Sequence, residues 1–236
     1  MKRFKAYREI LVMGFSLLMV LTIAVSTAIA GGEGTALVII DMQPRFVTRN
    51  RNHGTDENQA KVDQIIDSQV VAIQKAKELG LPIVVVEYEN YGDTNAALKK
   101  AIGDYKRVRY FQKDRDGMFD PRNSFRGPLM EHLKEQDIGT LLITGANGGA
   151  CVKRSIRGAL ENDYQVIAYA EGIADFNFKE FIYPYKYKKD QIDVTCAKCT
   201  FREVSGADQL MRAIMGKGWI ARPMIEGSGV GAKGSR

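Results

Sequence analysis

The chain has 236 residues, of which 45% are hydrophobic and 26% charged, and it carries a formal net charge of +6. That composition excludes a disordered body and shows no repeat array, while the length suits one sizeable core without requiring a second domain. The charge is weak ground for nucleic-acid binding: the one basic stretch with interleaved aromatics, Tyr183 to Lys189, reads as a surface loop with solvated lysines.

Residues 1–30 have the layout of a secretory signal peptide. Lys2, Arg3, Lys5 and Arg8 precede an apolar run from Ile10 to Ile29, and Ala28-Ile29-Ala30 supplies small residues at a cleavage spacing. The alternative is an uncleaved anchor, since about 20 apolar residues span a bilayer. Gly14, Ser16, Thr22, Ser26 and Thr27 dilute the run and favour cleavage after Ala30. The expected location is therefore periplasmic or secreted, with an inner-membrane anchor as the alternative. Cleavage would remove four basic residues and Glu9, lowering the formal charge from +6 to +3.

The body, residues 31–222, alternates strands and helices. Ala36–Ile40 is a continuous apolar strand of the kind buried on both faces of a parallel sheet. Apolar residues at helical spacing from Val62 to Leu79 predict a helix over 58–79, stopped by Gly80. Further strands are expected at 81–86, 107–112, 140–144 and 165–169, with a short one near 191–195. Helices are expected at 124–136, 151–162 and 207–215. Residues 223–236 read as a flexible, glycine-rich tail. The pattern predicts a single-domain, Rossmann-like α/β three-layer sandwich, with a mainly parallel sheet of about six strands covered by helices on both faces. Ligands in such sheets bind beyond the carboxyl ends of the strands.

Three strand ends carry groups suited to chemistry: Asp41 after the first, Lys113 after the third, and Cys151 after the fourth. Each has a plain structural reading as well, as a turn-forming Asp, a solvated Lys in a charged run, and a packed Cys. Together they supply an acid or base, a cation and a nucleophile. Cys151 follows a glycine-rich turn at the start of an expected helix, where backbone N–H groups and the helix dipole favour a thiolate. With His53 and His132 as the only histidines, and neither at a strand end beside a nucleophile, a Ser-His-Asp hydrolase is unsupported. No Gly-x-Gly-x-x-Gly follows the first strand, so a dinucleotide site is unsupported too.

These residues resemble the isochorismatase-like cysteine hydrolases, which include nicotinamidases and N-carbamoyl amide hydrolases. Asp41-Met-Gln-Pro-Arg-Phe46 is similar to the family's first-strand motif. Lys113 followed by Phe119 is similar to its lysine segment, and Gly145-Ala-Asn-Gly-Gly-Ala-Cys151-Val152 to its nucleophile turn. The resemblance implies a triad in which Asp41 is general base and acid, Lys113 supports it and favours the thiolate, and Cys151 attacks a carbonyl to form a thioester. It further implies an oxyanion hole from the backbone N–H groups of Asn147 and Cys151, a cis peptide at Ala146-Asn147, and a small-molecule amide or carbamoyl substrate. The resemblance also allows a homo-oligomer, with residues 176–190 as a lid or an interface. Phe46, Tyr88, Phe119 and Asn147 are pocket candidates by their place after strands.

Two positions depart from the family: Gly148 stands where Thr is usual, and Glu171-Gly172 where Asp-Ala is usual. Nicotinamidases carry a metal held by Asp and His residues, but Val86-Glu-Tyr-Glu-Asn90 lacks the His expected after the second strand, so neither a metal nor a cofactor is expected. His53 is expected on the surface and His132 on a helix exterior. Cys196-Ala-Lys-Cys199 has three readings: a redox pair, half a zinc site, or a local disulfide, the simplest in an exported protein. The expected function is exported C–N hydrolysis. Its rivals are a catalytically silent binding relative and a redox protein using Cys196 and Cys199.

Overall fold

The fold is seen in a computed structural model that describes residues 34–47, 55–176, 181–188, 191–192, 196 and 199–215. The expected signal segment, His53 and the tail lie outside these residues. Strand β1 (Gly34–Ile40) opens the chain, followed by a short helix α1 (Pro44–Val47) and the long α2 (Asp56–Glu78). Then come β2 (Ile83–Tyr88), α3 (Ala96–Ile102), β3 (Val108–Lys113), α4 (Arg126–Glu135) and β4 (Ile138–Ala146). A π-helical turn (Gly148–Val152) leads into α5 (Lys153–Glu161), and β5 (Gln165–Phe176), β6 (Phe181–Ile182), β7 (Phe201–Val204) and α6 (Gly206–Met215) complete the order.

Six strands pair in parallel in the order β3-β2-β1-β4-β5-β7, and β6 adds an antiparallel strip to the end of β5. The order reverses at β1, so the gap between the ends of β1 and β4 is the switch point where doubly wound folds bind ligands. Ala36 to Ile40 are fully buried because β1 is central and covered on both faces. On one face Leu129 and Leu133 of α4 and Ile156 and Ala159 of α5 pack against Val38, Ile40, Val84 and Val86. On the other, Ile65 and Ile73 of α2, Leu98 of α3 and Leu210 of α6 pack against Leu37, Ile39, Ile83 and Val85. The alternation along each strand divides one apolar run between two cores.

The long helix is bounded by recognisable chemistry. Thr55 caps it by accepting from Asn58 N–H at 3.1 Å, Asp56 and Glu57 face its positive end, and Gly80 leaves it at φ +67°. Helix α3 has no counterpart in the sequence reading. It is capped by Asn95, whose side chain accepts from Ala97 N–H, and Lys77 of α2 donates to the carbonyls of Ala101 and Ile102 at its far end.

Three expectations need correction. Gln191 and Ile192 form a turn and a bend, not a strand, and 193–195 lie outside the described residues; the sixth parallel strand is Phe201–Val204, which buries Val204 beside β5. Cys151 does not open an α-helix: the Asn147 carbonyl accepts from Val152 N–H at 3.1 Å, and this wider loop holds Cys151 in the π-helical turn ahead of Lys153. The aromatics of the basic stretch are not a solvated loop. Tyr185 is buried while Lys186 and Lys188 are exposed, so tyrosines and lysines alternate inward and outward.

Candidate active site

Asp41 leaves β1 with φ +54°, a left-handed conformation that Asp tolerates better than most residues, and the chain turns off the sheet there. Its backbone N–H still donates to Val86, while its side chain is fully buried. Asp41 Oδ2 lies 2.8 Å from Lys113 Nζ, and neither residue is exposed to solvent. Lys113 is the last residue of β3, in register with Tyr88, and its ammonium also donates to the Asp116 carbonyl at 2.9 Å and lies 4.5 Å from the Tyr88 ring centre. The solvated-lysine reading therefore fails. Asp114, Arg115 and Asp116 remain at the surface as Lys113 turns inward, and the Asn123 side chain pins their loop by accepting from Asp114 and Arg115 N–H and donating to Gly117.

The thiol of Cys151, 4% exposed, interacts with both Asp41 and Lys113, so the three strand-end residues meet. Burial pushes the Asp41 carboxyl up to about 6 against the pull of Lys113. The Cys151 thiol also pulls the carboxyl down, by less than Lys113 does. Burial, followed by the Asp41 charge, pushes the thiol up to about 12. This corrects the expectation that Lys113 holds the thiol low: loss of water outweighs the attraction of one ammonium. At neutral pH the resting pair is a thiol beside a carboxylate.

The nucleophile turn is gripped from several sides. Gly145 has φ +136°, and a Cβ there would stand 2.2 Å from the Ile40 carbonyl, so only glycine lets β4 pass β1 at this point. The Ala146–Asn147 peptide is cis. The Asn147 carbonyl accepts from Ala150 and Val152 N–H, and its side-chain oxygen accepts from Phe176 N–H at 3.1 Å. The Asn147 side chain thus joins the turn to β5.

Phe46 and Tyr88 lie on one side of the ion pair, joined by Tyr91, which sequence reasoning missed. Phe46 stacks on Tyr91 at 5.0 Å, Tyr88 lies 4.9 Å from Tyr91, and the Arg45 guanidinium sits 4.1 Å above the Tyr91 ring. Phe119 is not with them. It is 4% exposed, stacked on Tyr164 and against Gly158 of α5, because the pinned loop turns it toward that helix.

Gln43 was also missed, although its motif was noticed. Its side chain donates to the Tyr88 carbonyl at 2.8 Å and accepts from Tyr88 N–H at 2.7 Å. Buried Glu87 accepts from both the N–H and hydroxyl of Thr94. The signal for both was available: polar residues inside apolar runs must find partners.

Cys196 and Cys199 form a disulfide, and Cys151 is the free cysteine. Cys196 lies 3.6 Å from Asp163 and Cys199 lies 3.1 Å from the Leu160 carbonyl, at the far end of α5 from Cys151. With Asp163 they make a three-group cluster of ligand-type atoms, but the sulfurs are spent in the bond. His132 lies outside the buried stripe of α4, half-buried beside Phe111, and burial holds its pKa below the usual value. Among the described residues no helix is long and apolar enough to cross a membrane.

The profile of the isochorismatase domain matches residues 35–184. A curated relative, isochorismatase family protein 1B of Dictyostelium discoideum, is 26% identical over 149 residues, covering 61% of this chain and 65% of that protein's length. Among solved structures, N-carbamoylsarcosine amidase of Thermoplasma acidophilum is similar with a TM-score of 0.52 and 15% identity, over 72% of this chain and 96% of that one. A pyrazinamidase/nicotinamidase of Streptococcus mutans has a TM-score of 0.51 and 20% identity, over 62% and 90%. These two likenesses establish the three-layer fold.

Proposed function

The chain belongs to the isochorismatase domain family, and from that premise we propose that it is a cysteine hydrolase cleaving the C–N bond of a small amide or carbamoyl compound. The observation that carries this reading is the fully buried Asp41–Lys113 pair in contact with the Cys151 thiol. A buried acid, cation and thiol at a sheet's switch point are costly to keep together unless they serve chemistry.

The Cys151 thiol attacks the carbonyl carbon while its proton passes to the Asp41 carboxylate. With Asp41 raised to about 6 and the thiol to about 12, the proton moves as the C–S bond forms, with no standing thiolate needed. The new oxyanion is received by the N–H groups of Asn147 and Cys151, which stabilise charge that exists only during reaction. The C–N bond then breaks, the leaving nitrogen takes the proton from Asp41, and ammonia or an amine departs. Water adds to the thioester and yields its proton to Asp41; the C–S bond breaks, and Asp41 returns a proton to the sulfur as the acid leaves. Lys113 offsets the carboxylate each time it re-forms.

The test is ammonia release from a panel of small amides and carbamoyl compounds, comparing the wild type with Cys151→Ala. Release that requires Cys151 supports the mechanism; equal release by both proteins overturns it. We also propose export, supported by the basic and apolar order of residues 1–30. N-terminal sequencing of the protein made in its own host, starting at Gly31, supports it, and an intact Met1 in the cytoplasmic fraction overturns it.

A further inference from the structure

Gly148 need not be glycine for its backbone, because its φ lies outside the left-handed region, unlike that of Gly145. What excludes a side chain is the Tyr185 ring: a Cβ on Gly148 would stand 2.4 Å from its Cγ. Tyr185 lies 37 positions along the chain, is 7% exposed, and is itself fixed by donating its N–H to the Ile173 carbonyl at 3.0 Å. Two residues on, the Tyr187 hydroxyl donates to the Gly148 carbonyl at 3.0 Å, and Tyr187 N–H donates to Glu203 of β7. The other side of the same peptide unit, Gly149 N–H, donates to the Asp175 carboxylate. The peptide between Gly148 and Gly149 is therefore held at both its oxygen and its N–H by groups from outside the turn, and a ring fills the space beside it.

We propose that residues 181–188 form a strap that holds the nucleophile turn in its reactive shape, with Tyr185 and Tyr187 as positioning residues. Tyr185 supplies, from a distant segment, the bulk that position 148 lacks. A peptide fixed at both ends cannot rotate, so the backbone N–H groups that follow it as far as Cys151 keep their direction. Small displacements there are costly, because an oxyanion donor acts only within hydrogen-bond reach. The inference rests on the hydrolase reading for its kinetic consequence, but not for its structural one.

The experiment compares wild type, Tyr185→Ala, Gly148→Thr and the double variant, with Tyr187→Phe as a milder probe that keeps the ring. The rate of Cys151 alkylation by iodoacetamide is read in every case, well below each melting temperature. Tyr185→Ala is expected to raise that rate at least about fivefold by loosening the turn over a thiol that is nearly enclosed, and adding Gly148→Thr should return it to within about twofold of wild type. Gly148→Thr alone should lower the melting temperature, since the ring occupies the added atoms' place. On any amide the wild type hydrolyses, Tyr185→Ala should lower kcat at least tenfold with KM changed less than threefold. Tyr187→Phe should lower kcat about three- to tenfold, as for one lost hydrogen bond. If Gly148→Thr is tolerated alone, or fails to restore Tyr185→Ala in alkylation, the strap is overturned whatever the substrate. If Tyr185→Ala does not fold, unchanged alkylation and kcat in Tyr187→Phe overturn it. Should the wild type hydrolyse nothing while alkylation shows the rescue, the hydrolase reading fails and the strap stands.

Discussion

Replacing Asp41 by Asn tests whether one buried carboxyl sets both the acid limb of activity and a distinct part of stability. Moving a carboxyl from 3.8 to about 6 corresponds to about 3 kcal/mol between its protonation states. The folded protein holds this proton more tightly than the unfolded chain, so between about pH 4 and pH 6 the native state binds more protons and stability falls as pH rises. Above about 6 the penalty of about 3 kcal/mol is fully present; below about 4 it vanishes. Other carboxylates run the opposite way, as with Asp120, held at about 2 by Arg122, so the wild-type curve alone is a sum. Denaturant unfolding of wild type and Asp41→Asn at pH 4, 5, 6 and 7 isolates the one group: the wild type should lose about 3 kcal/mol relative to the variant across that range. In the active protein, kcat/KM should fall about tenfold per pH unit below about 6, and Asp41→Asn should lose about 10²- to 10⁴-fold, the usual contribution of a positioned base. Parallel stability curves, or an acid limb centred near 4, would refute the raised carboxyl.

Lys113→Met leaves the Asp41 charge buried without its cation. It should cost about 3–5 kcal/mol at pH 8 and clearly less at pH 4.5, where Asp41 is protonated, and an equal loss at both pH values in denaturant unfolding would count against the ion pair. Gln43→Ala removes two bonds to the Tyr88 backbone and one to the Gly92 carbonyl and should destabilise by about 2–3 kcal/mol, while Gln43→Glu, which sets a buried carboxylate against both carbonyls, should recover none of it in the same assay. Cys196→Ser with Cys199→Ser opens a short loop at the far end of α5, so unfolding should show a loss of about 2 kcal/mol or less, with amidase kcat within twofold of wild type. A large fall in kcat there would revive the redox reading.

Much of the site was legible because parallel α/β sheets expose their strand ends at one edge. Asp41 closes a strongly apolar run, Lys113 ends a strand of mixed residues and Cys151 follows a glycine-rich turn, so strand order brings them to one edge and the family resemblance supplies their roles. Phe119 was misplaced because a loop, not a strand, aims it, and the Asn123 side chain that turns that loop toward α5 is ten positions from Lys113. Thr200–Val204 reads as extended in the sequence, but four or five residues carry too little pattern to say which strand they join, and pairing with β5 decides it.

The sequence by itself determined the sheet, its two cores and the meeting of acid, cation and thiol, because apolar periodicity and chain order are local records of a global layering. Only the tertiary structure decided the electrostatics and the shape of the turn. The direction of the thiol's shift depends on how far water is excluded and on which charge lies nearer, and neither is written in a motif. Gly148 reads as a flexible turn residue in the chain and proves in space to be the seat of a tyrosine ring, since a side chain's room is set by residues far along the sequence.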